Sequence, residues 1–300
     1  MSAKMTNYLL KSSISYTAFS LLQPLLSFII LPFITNTYTI VAYGNYILLL
    51  AIMMFFSFVS AFCIGQSMPN YHFRHMHDED ASKEFLSNMI HFSALSNVVI
   101  FILLSILFYN IEIIRFGLPV SHVIVAMAAG LADVFLMLFA QYYKNLRAVR
   151  MVGIAVISAS ALTLAGQITI IYYHFNIAWL LLVKFFCTVI ICMALYNHEK
   201  LFSYNFSKKI LSEPIAYALK LLPWIVLTWV LYYGDRLIIE RILNAESLAF
   251  YGLALTISGL IQIGYTGFGG AIQPLYQRNY HTVNDTSNER LPFLTVDVAT

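Results

Sequence analysis

The sequence predicts an all-α polytopic membrane bundle of about eight transmembrane helices. Three observations lead there: eight apolar runs of spanning length, 60% hydrophobic against 10% charged residues, and lysines and arginines confined almost entirely to alternate loops. A hydrocarbon core of roughly 30 Å takes about 20 apolar residues per helix. Lipid offers a backbone no hydrogen bonds, so each run must satisfy its own amides as a helix. A soluble chain would carry about 25% charged residues.

Each span is justified by what precedes it. Ser12–Ile34 follows a polar start, Met1–Lys11, that has no small-residue cleavage pattern, so it is expected to be a retained helix and not a signal peptide. Ala42–Ile64 re-enters after the short loop Thr35–Val41, and Phe85–Tyr109 follows the long polar stretch Gln66–Glu84. Leu118–Tyr142 follows Asn110–Gly117, and Val152–Tyr173 comes after a basic turn holding Lys144, Arg147 and Arg150. Asn176–Tyr196 begins after only His174-Phe175; Ala216–Ile242 follows Asn197–Pro214; Leu248–Ile272 follows Leu243–Ser247. Tyr109, Tyr142, Tyr143, Tyr172, Tyr173, Trp179 and Tyr196 gather at these ends, where amphipathic rings favour the headgroup level.

Charge sets the expected orientation. Thirteen of seventeen lysines and arginines lie at the termini, on the even loops or, for Lys220, at a helix entrance beside one. The positive-inside rule then places both termini and those loops in the cytoplasm, in a multi-pass protein of the inner (cytoplasmic) membrane. The net charge of +3 forms no concentrated basic face, which argues against nucleic acid as a partner and leaves membrane lipids. Cys63, Cys187 and Cys192 all sit in apolar runs and read as buried thiols.

An internal repeat organises the chain. Gln23-Pro24 in the first span leads through a short polar loop to Tyr43-Gly44; Pro223 in the seventh leads through another to Tyr251-Gly252. The seventh span is six places on from the first, an even offset, so the copies share one orientation, as in transporters that rock two lobes about a central cavity. Proline frees a carbonyl and makes a polar kink, so Gln23, Pro24 and Pro223 are expected gating kinks.

Ionisable residues inside spans are costly and point to function. Asp133 in the fourth span and Lys184 near the middle of the sixth are expected to face the interior. Asp133 would carry a coupling ion or proton; the plainer alternatives are a structural Asp133–Lys184 pair, or a lysine snorkelling to the headgroups. Asp235, a second ion-coupling candidate, and Arg236 lie near the rim of a long seventh span, where Arg236 would grip phosphate or pair with Glu240 or Asp235. Lys220 stands at the inner end of that span, as an anion attractor or a headgroup anchor. His72, His75, His77, Asp78, Glu79 and Asp80 have the composition of a metal site, but a polar loop beside a membrane has it too, and no metal is expected. Gly264–Gly270 lacks the strand and Lys-Ser/Thr of a phosphate loop and reads as close helix packing. No Ser-His-Asp or paired-carboxylate arrangement is visible, and no cofactor or enzyme activity is expected.

The run Ala218-Leu-Lys-Leu-Leu-Pro223 through Asp235-Arg236, with Leu248-Ala-Phe-Tyr-Gly-Leu-Ala254, resembles the polysaccharide (O-antigen type) flippases of the multidrug/oligosaccharidyl-lipid/polysaccharide exporter superfamily. Gln141-Tyr-Tyr-Lys-Asn-Leu-Arg-Ala-Val-Arg150 and Gln273-Pro-Leu-Tyr-Gln277 are similar to that family's turns. The resemblance implies a transporter that moves a polyprenyl-pyrophosphate-linked oligosaccharide to the outer leaflet for surface polysaccharide synthesis. It also implies other polysaccharide-assembly membrane proteins as partners. Arg236, Lys184 and Lys220 would meet the substrate's anionic groups.

The family fold of two six-helix lobes implies a first lobe over residues 1–197, a cytoplasmic linker over 198–215, two second-lobe helices over 216–272 and a polar cytoplasmic tail over 273–300. Twelve or more spans are usual in the family, so the chain is expected to lack part of the second lobe. An inactive or partner-dependent fragment therefore stands as the alternative. A membrane polymerase or glycosyltransferase, the remaining rival, would want a long outer loop with paired acids or arginines, and these outer loops are short.

Overall fold

The computed structural model describes residues 25, 28–60, 64–72, 79–111, 116–146, 148–203 and 206–259. Among the described residues there is no strand. The helices are α1 (Phe28–Thr37), α2 (Ile40–Val59), α3 (Ile64–His72), α4 (Glu79–Asn110), α5 (Val120–Asn145), α6 (Val149–Tyr172), α7 (Trp179–His198), α8 (Lys208–Ile242) and α9 (Ala245–Ser258). Six of them, α2 and α4 to α8, are long and apolar enough to cross a membrane. α1 and α9 overlap the stretches expected as the first and eighth spans. The all-α membrane bundle expected from the sequence is the fold observed.

Three helix starts differ from the sequence reading, one of them that of α4, which begins at Glu79 and not at Phe85. The polar stretch after the second span begins as helix, α3, with Pro69 inside it, and α8 starts at Lys208, two turns before Ala216. Both extra pieces are amphipathic enough to be buried: Ile64 and Met68 from α3 and Leu211 from α8 pack with Phe85, Leu86, Tyr142, Tyr143 and Tyr196 in one of two apolar cores. The other core lies towards the opposite end, where α2, α5, α7 and α9 begin, and includes Tyr43, Ile47, Leu48, Val123, Leu180, Leu181 and Leu248. That end is the rim.

α5 is the central helix, packed on α2, α3, α4, α6 and α7. Small residues make this possible, since helices in lipid associate by close packing and not by escaping water. A Cβ at Gly130 of α5 would overlap the Met53 carbonyl of α2. The other side of α2 carries α8 and α9. Outward faces remain apolar, with Leu227 and Leu231 of α8 at 67% and 78% exposure, as a lipid-facing surface requires.

Caps fix the rim ends. Thr39 Oγ1 accepts from Ala42 N at 3.2 Å to start α2, and Asn244 Oδ1 accepts from Ser247 N at 2.8 Å to start α9. Tyr38 donates its hydroxyl to the Phe175 carbonyl at 2.7 Å, tying the α1–α2 turn to the α6–α7 turn. Burial raises the Tyr38 phenol above its ordinary value, so it remains a donor at any physiological pH.

Candidate functional site

Among the described residues, charged side chains lie within the apolar bundle at two places, one inside the first seven helices and one where α2, α8 and α9 meet. The first is an ion pair. Lys184 Nζ lies 2.6 Å from Asp133 Oδ2, joining α7 to α5. The ammonium also reaches the Met53 sulfur of α2 at 3.7 Å. Each side chain is only 17% exposed, so Lys184 points inward and does not snorkel to the headgroups. Asp133 is at mid-height of α5, whereas Lys184 lies in the second turn of α7, nearer the rim than the middle of a span. The lysine stem bridges that offset. Paired, the two groups are neutral together, which lowers the cost of holding charge in a low-dielectric interior.

The second constellation surrounds Arg236. Its guanidinium carbon stands 4.4 Å from the centroid of the Tyr233 ring, in cation–π geometry. Its Nε is buried and, among the described residues, has no hydrogen-bond partner. Among the described residues, Arg236 makes no ion pair with Glu240 or Asp235, so the rim pairing considered from the sequence does not form. Asp235 is engaged elsewhere: Oδ1 accepts the Arg236 backbone amide at 2.8 Å and Oδ2 accepts the Tyr251 hydroxyl from α9. Tyr43 of α2 lies within electrostatic reach of Arg236. A cation thus sits among three tyrosines from three helices, with an unsatisfied buried donor. A buried donor left unpaired is expensive, and a planar guanidinium suits an anionic oxygen pair.

Below it, α8 is braced on α2 by aromatic side chains. Trp229 Nε1 donates to the Ala51 carbonyl at 3.2 Å, and the Trp229 ring meets Phe55 edge-on at 4.9 Å. Tyr233 continues this ladder, stacked on Trp229 and edge-on to Phe58. The rotation of α8 that brings Arg236 to α2 is therefore set by several rings in succession.

The structure does not bring all the sequence candidates together. Lys220 is exposed on α8, sixteen residues from Arg236 and so about 24 Å away along the axis. Pro223 lies within α8, which continues as helix through it. Gln23, Pro24 and the Gly264–Gly270 run lie outside the described residues, as do His75, His77 and Asp78. Among the described residues no cluster could hold a metal ion.

Sequence reasoning missed the tyrosines around Arg236, although Tyr43 and Tyr251 were the marked residues of the repeat. It also passed over His91 of α4. His91 Nε2 lies 3.0 Å from the Tyr196 hydroxyl, and Nδ1 lies 3.4 Å from Ser87 Oγ, which in turn donates to the Leu201 carbonyl at 3.2 Å. A histidine inside an apolar span is itself a signal, and its partners here tie α4 to the end of α7.

The family model described as polysaccharide biosynthesis protein matches residues 9–279. No curated protein matches the sequence. Among solved structures, the chain is similar to a MATE multidrug transporter, DinF-BH, solved as a complex, with a TM-score of 0.72 at 14% identity over 93% of this chain and 67% of that one. It is also similar to a MATE in complex with Br-NRF, with a TM-score of 0.64 at 14% identity, over 93% of this chain and 71% of that one. The chain thus spans about two thirds of the length of these structures, and the likeness concerns the fold.

Proposed function

Because the chain belongs to the polysaccharide biosynthesis protein family, and its helices are arranged as in MATE transporters, we propose that it is a membrane transporter of the flippase type. Its cargo is an oligosaccharide carried on polyprenyl pyrophosphate, moved from the inner to the outer leaflet for surface polysaccharide synthesis. The observation that carries this reading is Arg236, a cation within the bundle on α8 whose Nε is buried without a hydrogen-bond partner among the described residues.

The basic asymmetry of the loops orients the bundle. Lys144, Arg150, Lys200, Lys208 and Lys220 lie towards the end opposite the rim, so that end faces the cytoplasm and the rim faces outward. Lys220 then anchors at the inner headgroups, where it also draws in the anionic head of the carrier. Arg236 receives the pyrophosphate further along the same helix. Asp133 and Lys184 form the ion-coupling pair, since a proton or cation taken by Asp133 frees the lysine from it. Asp235, beside Arg236, gives a second carboxylate for the same role. Pro223, between Lys220 and Arg236, lets α8 flex as the cargo passes.

The test is glycan export in cells lacking their own flippase. Arg236→Ala should lower surface glycan by at least about tenfold, the equivalent of losing one charge-assisted contact, with Arg236→Lys in between. Export unchanged in Arg236→Ala, at equal protein in the membrane, would overturn the assignment of Arg236.

A further inference from the structure

Both glycines of the repeated Tyr-Gly pairs lie in the contact between α2 and α9. Gly44 of α2 lies so close to α9 that a Cβ there would overlap the Ala245 carbonyl oxygen, and a Cβ at Gly252 would fall 2.5 Å from Ile47 Cγ1. Contact between backbones exists only while the two helices are fully closed on one another, and it leaves no room between them for cargo or lipid. Each glycine follows a tyrosine that belongs to the Arg236 constellation. Tyr251 donates to Asp235 of α8, and Tyr43 lies within electrostatic reach of Arg236. The contact that closes the rim and the residues that would hold an anion are therefore neighbours along both α2 and α9.

We propose that this junction is an anion-released clasp: Gly44 and Gly252 set the closed position of α9 against α2, the Tyr251–Asp235 bond holds it, and an anion at Arg236 undoes it. The proposal rests on reading Arg236 as an anion contact. Its physical basis is charge. An anion on the Arg236 guanidinium brings negative charge beside the Asp235 carboxylate, and like charges at short range in a low-dielectric site repel strongly. Asp235 is driven away from the tyrosine it accepts from, and α9 loses its polar tie to α8. The remaining glycine contact is non-directional and has no polar bond to keep it shut. Release at the rim is thus linked to the arrival of anionic cargo, and the empty transporter stays closed there.

The experiment uses the full chain in nanodiscs with Cys63, Cys187 and Cys192 replaced by serine, and spin labels at Val41 and Glu246, exposed positions near the rim ends of α2 and α9. Inorganic pyrophosphate is the probe, against sodium chloride at equal ionic strength. Pyrophosphate should lower the ratio of short-distance to long-distance label populations by on the order of tenfold, and Tyr251→Phe should do so without it. Binding of pyrophosphate is measured separately by calorimetry on the wild type and on Arg236→Gln. If pyrophosphate binds through Arg236 while distances stay fixed in both the wild type and Tyr251→Phe, the clasp is wrong and the Arg236 reading survives. If it does not bind, or binds Arg236→Gln equally well, both fall together. Should Tyr251→Phe fail to fold, Asp235→Asn removes the carboxylate's charge instead; the wild type should then open with pyrophosphate while this variant's distances should not respond to it, and an equal response would overturn the clasp.

Discussion

Lys184 and Asp133 show what one residue of each sign demands inside a membrane. Each satisfies the other at 2.6 Å, and neither has another charged partner among the described residues. Lys184→Met leaves a carboxylate without a counter-charge in the interior. Removing one partner of a buried pair costs about 3–5 kcal/mol, so the variant's unfolding temperature in detergent should drop well below that of the wild type. The double change Asp133→Asn with Lys184→Met should recover most of that loss, because an amide beside a thioether carries no uncompensated charge. If the pair also couples transport to an ion, the recovered protein will be stable and inactive. A double variant that exports glycan normally would leave the pair a structural role alone. Asp133 and Lys184 were both legible as outliers in apolar runs. A pair between them was one of the alternatives the sequence offered; that it forms, and that Lys184 does not snorkel, depends on the relative rotation and height of α5 and α7, which a uniformly apolar helix does not encode.

At the level of elements, α8 and α5 work in opposite ways. α5 is a rigid core whose Gly130 admits the Met53 carbonyl and would place a Cβ 3.0 Å from Phe56 Cβ. Gly130→Val should therefore destabilise by about 1–3 kcal/mol through overpacking, and thermal unfolding would register it. α8 runs 35 residues through Pro214 and Pro223. Pro223 withholds an amide from the Leu219 carbonyl four residues earlier, which softens the helix between Lys220 and Arg236. Pro223→Ala restores that bond, and should raise the unfolding temperature while slowing export. Faster export in this variant would contradict a flexing role. The prolines were plain in the sequence, but the helical start of α8 at Lys208 was not. Pro214 and the charged Lys208, Lys209 and Glu213 suggest a loop, and only burial of Leu211 under α3 and α4 outweighs them. In the same way α3 was hidden by a polar sequence and revealed by the burial of Ile64 and Met68.

On the scale of the whole molecule, the repeat copies are neighbours through α2, α8 and α9, and their Tyr-Gly pairs share one junction. α9 nevertheless begins about one turn further from its Tyr-Gly than α2 does, so the two copies match in direction and differ in depth. The orientation proposed for the bundle has a direct check. On intact cells, a membrane-impermeant maleimide should label Tyr173→Cys, which is exposed at the α6–α7 turn, and should leave Lys200→Cys unlabelled until the membrane is opened. The reverse pattern would invert the transport direction along with the topology.

The amino-acid sequence alone determined the fold class, the order of the spans, the side on which positive charge collects and the two Tyr-Gly landmarks, since each follows from local hydropathy and spacing. Tertiary structure decided which faces meet: that Lys184 turns to Asp133, that Arg236 goes unpaired among Tyr43, Tyr233 and Tyr251, and that Gly44 touches α9. The physical reason is that a helix immersed in lipid is apolar all round. Its pattern says that it crosses the membrane, while rotation and tilt are fixed by small residues and buried polar bonds between segments some two hundred residues apart in the chain.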